Sequence, residues 1–238
     1  MKKLICTILI LGFVGLILYS GYQLWLIQAN YKEEADLHSA VLEYRPQEKD
    51  DEPINQSVID LQAKYPDAIG WLTIPNTNID YPFVQGKDND YYLRRDINGS
   101  YALAGTLFLD YRCEKNFTSQ NTIIYGHHMK NGSMFGTLKG FSDKAFFDKN
   151  RHGTICLPHD TLTLEFFAFL VIDPILKTEI YSPSPDSSFI EFIQQNARHY
   201  RDIGLTEADR IVTLSTCAYE FDNARYVVLG VLRADHQP

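Results

Sequence analysis

The sequence predicts a mainly β domain, an eight-stranded barrel, carried behind one N-terminal transmembrane helix. Three observations lead there. About eight short runs of β-branched and aromatic residues, separated by turn-forming Gly, Pro, Asn and Asp, lie between Trp71 and Leu232. Only two stretches with helical spacing interrupt them, and such a series suits a closed barrel better than an open sheet. The third observation is an apolar run from Leu4 to Ile27 that contains no charged residue.

That run is about 24 residues long, and a hydrocarbon core needs roughly 20. A cleaved signal peptide has an apolar region of only about 7–15 residues and a small-residue cleavage site, so the run is predicted to be an uncleaved anchor. Lys2 and Lys3 precede it, while Glu33, Glu34 and Asp36 follow. The positive-inside rule then keeps the N-terminus cytoplasmic and places the rest of the chain outside the cell. The organisation expected is a cytoplasmic tip and anchor over 1–27, a juxtamembrane helix and linker over 28–53, and an extracellular catalytic domain over 54–238.

Tyr31, Ala35, His38, Val41 and Leu42 recur at near-helical intervals and predict a stalk helix ending before Pro46. Gln47 to Pro53 is charged and aperiodic, which reads as a linker. Ser57 is the expected cap of a short helix through Val58, Ile59, Leu61 and Gln62, stopped near Tyr65 because Pro66 disfavours helical geometry in the residue before it. Trp71–Ile74 and Ile79–Val84 flank the turn-rich Pro75-Asn-Thr-Asn78 and predict a hairpin. Further strands are expected at 105–109, 121–125, 153–157, 162–172, 210–216 and 226–232. The helical interruptions are Met134, Leu138 and Phe141, and then Phe189, Ile190, Ile193 and Ala197 behind a cap at Asp186 or Ser187.

A net charge of -8 with 45% apolar residues argues for a folded acidic domain and against a nucleic-acid binder, which needs a basic face to neutralise phosphates. The four cysteines, Cys6, Cys113, Cys156 and Cys217, form no C-x-x-C pair, so zinc-ribbon spacing is absent. Whether Cys113 and Cys156 pair cannot be read from their spacing. If they do, Cys217 is the odd thiol.

Cys217 ends the strand-like run Ile211 to Thr216 and precedes a polar stretch, a fitting place for an exposed nucleophile. A thiolate needs an acid/base partner and a positive environment. His127 follows Ile123-Ile-Tyr-Gly126 at another strand end, and Arg225 opens the last strand, where it can face the cysteine across an antiparallel pair. Adjacent strand residues point to opposite faces, so at most one of His127 and His128 shares the cysteine's pocket. Taken singly, each has a bland reading: a buried thiol, a surface histidine, an arginine paired with Asp222 or Glu220. Together they describe one site assembled from separate segments.

Thr213-Leu-Ser-Thr-Cys217 with Arg225, Tyr125-Gly-His-His-Met129, Gly70-Trp-Leu-Thr-Ile74, Ile79-Asp-Tyr-Pro82 and Asp88-Asn-Asp-Tyr-Tyr-Leu93 resemble a class B sortase of Gram-positive bacteria, in the right order from about Ile54 to Leu232. The resemblance implies the sortase β-barrel, with the helix near Phe189 as the extra helix that class B members carry before the cysteine strand. It also implies Cys217 as nucleophile, His127 as general acid/base and Arg225 as the oxyanion- and substrate-binding residue. Thr216 and Tyr219, flanking the cysteine, are substrate-contact candidates, and Ser215 either orients substrate or is an ordinary strand residue. Some class B members carry an aspartate two residues after the cysteine. Tyr219 stands there in this chain, which weakens a Cys-His-Asp triad.

The implied chemistry is transpeptidation on a sorting motif such as Asn-Pro-x-Thr-Asn or Leu-Pro-x-Thr-Gly of a surface protein or pilin. The acceptor is a peptidoglycan cross-bridge amine or a pilin lysine, and the scheme requires neither metal nor organic cofactor. Two other functions compete with it. A hydrolytic thiol protease would resolve the same thioester with water, and a membrane-tethered, non-catalytic binding β-domain would keep Cys217 merely buried.

Overall fold

The computed structural model describes residues 2–47, 54–217 and 222–234, with Cys217 and Ala234 described through their backbone alone. The chain divides into two units, Met1–Glu43 and Tyr44–Pro238. In the first, anchor and stalk form one uninterrupted helix, α1 (Lys2–Val41), followed by a 3-10 turn at Leu42–Tyr44. It is long and apolar enough to cross a membrane, and none of its most apolar stretch is buried in protein.

The second unit begins before the predicted linker. Tyr44 packs edge-on against Tyr65 with ring centroids 6.3 Å apart, and Arg45 pairs with Asp80 at 2.8 Å. Helix α2 (Gln56–Lys64) ends at Tyr65, as Pro66 requires. Its N-cap position is Asn55 rather than the expected Ser57, which lies in the first turn. The Asn55 amide makes no cap bond. It donates instead to the Leu157 and Asp160 carbonyls at 2.6 and 3.1 Å, fixing the helix start to the barrel.

Nine strands follow among the described residues: β1 (Ala68–Thr73), β2 (Asp80–Val84), β3 (Leu107–Leu109), β4 (Asn121–Tyr125), β5 (His152–Leu157), β6 (Asp160–Ile172), β7 (Ala197–Tyr200), β8 (Ile211–Cys217) and β9 (Arg225–Ala234). Their order is β5-β1-β2-β3-β4-β8-β9-β6-β7, and β5 also pairs with β6. That last pairing closes eight strands into a barrel and leaves β7 outside the ring. Strand β6 outruns its neighbour: β5 covers it from Asp160 to Glu165, and β7 pairs with Ala168 to Leu170. An uncovered strand edge invites further pairing, and β7 covers this one. The Ala197-Arg-His-Tyr200 segment carries no β-branched residue, so its strand is set by the free edge rather than by local preference. The helix expected to continue through Ala197 therefore stops at Asn196, as α4 (Phe189–Asn196).

A bulge sets the two-layer packing. The β6–β9 register shifts between Phe166 and Ala168, and one extra residue inverts the inward and outward faces of a strand. Leu162, Leu164 and Phe166 fill the barrel core before the bulge, and Phe169 does so after it. Phe167, Ala168, Leu170 and Ile172 instead build a second core outside the barrel, against Ile180, Phe189 and Ile193. The 3-10 segment Thr178–Tyr181 and α4 are thus held on the outer face of β6, β8 and β9. The helical interruption near Met134 resolves into a 3-10 segment (Gly136–Ser142) and α3 (Lys144–Lys149), which Asp143 caps through Phe146 N–H at 2.8 Å. Strand β3 is shorter than its predicted 105–109. Gly105 has φ +61, and a Cβ there would lie 2.5 Å from the Tyr92 carbonyl oxygen.

Candidate active site

The site is a product of register. Strands β4 and β8 run parallel with Tyr125 beside Ser215. The ladder continues for one more bond, Gly126 N–H to the Ser215 carbonyl at 3.2 Å. His127 therefore leaves β4 level with Cys217. On the other side β8 and β9 are antiparallel, and Cys217 is the direct partner of Arg225. Residues directly opposite in such a pair share a face, so three adjoining strands bring positions 127, 217 and 225 together on the outer side of the barrel.

Gly126 is the residue that lets the strand end lie directly against the core here. A Cβ at this position would meet Leu107 Cδ2 at 2.4 Å and the Phe135 ring at 2.8 Å. Both neighbours are fully buried core side chains. Gly126→Ala is expected to cost about 1–3 kcal/mol through overpacking and to lower activity by shifting His127, checked by thermal melting and turnover of the same preparation.

His127 Nε2 donates to the Leu93 carbonyl at 2.5 Å. A carbonyl can only accept, so Nε2 carries the proton and Nδ1 is the basic nitrogen of the neutral ring. Burial pushes the imidazole below its ordinary value, the Leu93 bond partly opposes this, and the nearby Arg94 charge lowers it further. His128 departs to the other face, pairing with Met134 across an isolated bridge, its ring 5.7 Å from that of Tyr226 in the core. The two histidines diverge, as strand alternation requires.

Arg225 donates from Nη1 to the carbonyls of Asn223 and Ala224 at 3.1 and 3.0 Å. The turn before it is shaped by Asn223 in the left-handed region at φ 62 and by Ala224, which is fully buried. Ser215 is buried and its hydroxyl shares a 2.9 Å hydrogen bond with the Tyr181 hydroxyl. Thr216 lies on the opposite face, buried, with no hydrogen-bond partner for its Oγ1. Tyr219 falls outside the described residues, as does Glu220. Neither Cys113 nor Cys156 is in a disulfide. Cys113 is buried, which pushes its thiol up to about 11.

Several residues that the motifs did not single out frame the site. Tyr181 stacks on Tyr125 with ring centroids 6.0 Å apart. Asn121, fully buried, accepts from Thr213 Oγ1 at 2.7 Å and donates to the carbonyls of Ile180 and Ser182 at 3.0 Å each, tying the Tyr181 segment to β4 and β8. No local pattern announces Tyr181, because it reaches the site only through the outer layer. A surface cavity of about 400 Å³ opens along the Leu93 segment, lined by Lys87, Asp88, Asp90, Tyr91, Arg94, Arg95 and Tyr101. His127, Ser215 and Arg225 do not line it.

The geometry has clear counterparts. Residues 72–233 match the family model of the sortase domain. The sequence is 34% identical to sortase B of Listeria monocytogenes, over 97% of this chain and 98% of that protein. Among solved structures, sortase B of Bacillus anthracis superposes with a TM-score of 0.76 at 34% identity, covering 87% of this chain and 99% of that one. A Streptococcus pyogenes class B sortase involved in pilus biogenesis gives 0.68 at 35% identity, covering 74% and 97%.

Proposed function

Since this chain belongs to the sortase family and is a class B sortase, a cysteine transpeptidase, we propose that Cys217 is its nucleophile, His127 its general acid/base and Arg225 the stabiliser of the oxyanion. The observation that carries this is the strand register, Cys217 opposite Arg225 with His127 brought level through the Gly126–Ser215 bond. The Cys217 thiol passes its proton to Nδ1 of His127 and, as the thiolate, attacks the carbonyl carbon of the threonine in a sorting motif, while the Arg225 guanidinium balances the charge that forms on oxygen. The C–N bond to the next residue breaks, and the departing amine takes a proton from His127. A thioester remains on Cys217. An acceptor amine then attacks it, passes a proton to His127 and leaves as a new amide, restoring the thiolate.

The substrates that fit are surface proteins or pilins with a motif such as Asn-Pro-x-Thr-Asn or Leu-Pro-x-Thr-Gly, and the acceptor is a peptidoglycan cross-bridge amine or a pilin lysine. The apolar helix fits a membrane anchor, with Lys2 and Lys3 holding the N-terminus in the cytoplasm. The barrel then works at the outer membrane surface, where tethering raises the encounter rate with precursors held on the same membrane.

The test is mass spectrometry of the full chain in detergent, incubated with Asn-Pro-x-Thr-Asn and Leu-Pro-x-Thr-Gly peptide libraries, with and without triglycine or an aminoacyl-lysine acceptor. Cleavage after threonine, an acyl adduct mapped to Cys217 and an amide product only when the amine is present are expected. Adduct with hydrolysis as the sole outcome across all acceptors would sink transpeptidation in favour of a thiol protease.

A further inference from the structure

Asp110 is the most completely buried charged group described in the barrel, its side chain wholly inaccessible. Its carboxylate collects donors from three chain segments. Arg112 grips it with a planar fork, Nε to Oδ1 at 2.9 Å and Nη2 to Oδ2 at 2.7 Å, while the Arg112 backbone N–H reaches Oδ1 at 3.0 Å. Asn89 Nδ2 and the Tyr125 hydroxyl both donate to Oδ2 at 3.0 Å. Arg112 Nη2 also donates to the Tyr181 carbonyl at 2.9 Å. Burial by itself would raise the Asp110 carboxyl, but the bonds from Arg112 and Asn89 outweigh it and hold the group ionised below its ordinary value.

Each partner leads to the reacting groups. Tyr125 is two residues before His127. Asn89 lies in the short segment whose Leu93 carbonyl accepts the hydrogen bond from His127 Nε2. Tyr181 stacks on Tyr125 and hydrogen-bonds Ser215, two residues before Cys217. Asp110 is buried while the Arg112 side chain is 42% exposed, so desolvation of the carboxylate and solvent screening of the guanidinium leave the pair little net stability to supply. What its many directional bonds do supply is geometry.

We infer that Asp110 and Arg112 are positioning residues for the transpeptidation, a clamp built on a buried carboxylate that sets the Leu93 acceptor, the Tyr125–Gly126–His127 corner and the Tyr181 wall relative to β8. This rests on the roles proposed above for Cys217 and His127. The Asp110 carboxylate is sealed from solvent and out of reach of a substrate. The clamp acts by holding His127 and the peptide wall in reacting register, where small displacements weigh heavily on the chemical step.

The experiment measures kcat and KM of the full chain in detergent, with the best-cleaved Asn-Pro-x-Thr-Asn or Leu-Pro-x-Thr-Gly library peptide and triglycine as acceptor. Asp110→Asn, Arg112→Lys and Tyr125→Phe are compared with the unaltered chain, each well below its own melting temperature. Asp110→Asn sets an amide N–H against donors. Arg112→Lys keeps the charge and loses the fork. Tyr125→Phe deletes one bond and keeps the ring stack. The expected result for the first two is a fall in kcat of about 10- to 100-fold with KM within about threefold, and for Tyr125→Phe a smaller fall of the same pattern. Unchanged kcat in folded variants, whatever their melting temperatures, overturns the clamp. If Asp110→Asn fails to fold, Arg112→Lys and Tyr125→Phe decide by the same criterion. A Cys217→Ala chain run alongside separates the two failures: activity surviving in it overturns the proposed nucleophile instead.

Discussion

Cys217→Ala is expected to abolish both the acyl adduct and the ligated product, with turnover lower by at least about 10⁴-fold. The size follows from chemistry that no other group replaces. Loss of the nucleophile leaves only substrate binding and the Arg225 donors, and without a thioester there is no intermediate for an amine to intercept. Position 217 is held by backbone pairing with Arg225, so the strand forms with either side chain. A folded Cys217→Ala chain that still ligates peptides would disprove the mechanism. One that still binds a surface partner while the original chain never forms an adduct would favour a binding domain.

His127→Gln is expected to lower turnover by about 10²- to 10⁴-fold, the range for losing a positioned acid/base, while thioester formation with an activated ester falls less because its leaving group needs no proton. The same variant has a pH signature in stability. Burial holds His127 below its ordinary value of 6.5 in the folded chain, and the unfolded chain regains about that ordinary value. Above it both states are neutral and the stabilisation is fully present. As pH falls below about 6.5 the unfolded chain takes up a proton that the folded chain refuses, so stability drops until the lowered folded value is passed. Denaturant midpoints at pH 7.5 and pH 5 should therefore fall more for the original chain than for His127→Gln. Equal falls would show that His127 is not buried as the structure has it.

The candidate site could be read from the sequence because its members lie in short, chemically distinctive segments. A cysteine at the end of an apolar strand, Gly-His at the end of another and an arginine opening a third are local facts, and the alternation rule separated His127 from His128 before any coordinates. Tyr181 and the Asp110–Arg112 pair were silent for the opposite reason. Each owes its place to hydrogen bonds across large sequence separations, and an Asp two residues before an Arg reads as an ordinary exposed pair. Ser215 and Thr216 show the same limit from within a motif. One bonds outward to Tyr181 and the other turns to the opposite face, which follows from which side of β8 the outer layer covers.

The strands divide along the same line. Hydrophobic alternation and turn residues determined the eight barrel strands and the Pro75–Asn78 hairpin, where Thr73 pairs with Asp80. The length and purity of the Leu4–Ile27 run determined a helix fit to span a membrane, since backbone hydrogen bonding within one apolar segment leaves few alternatives. Tertiary structure alone decided β7, which exists because β6 extends beyond β5 and leaves donors and acceptors to be paired. It also decided the bulge after Phe166, which turns consecutive aromatic residues toward two different cores, and the closure of β5 on β6. Local preference fixes what a segment can become. Which edges remain open and which faces meet is settled only when strands distant in the chain are paired.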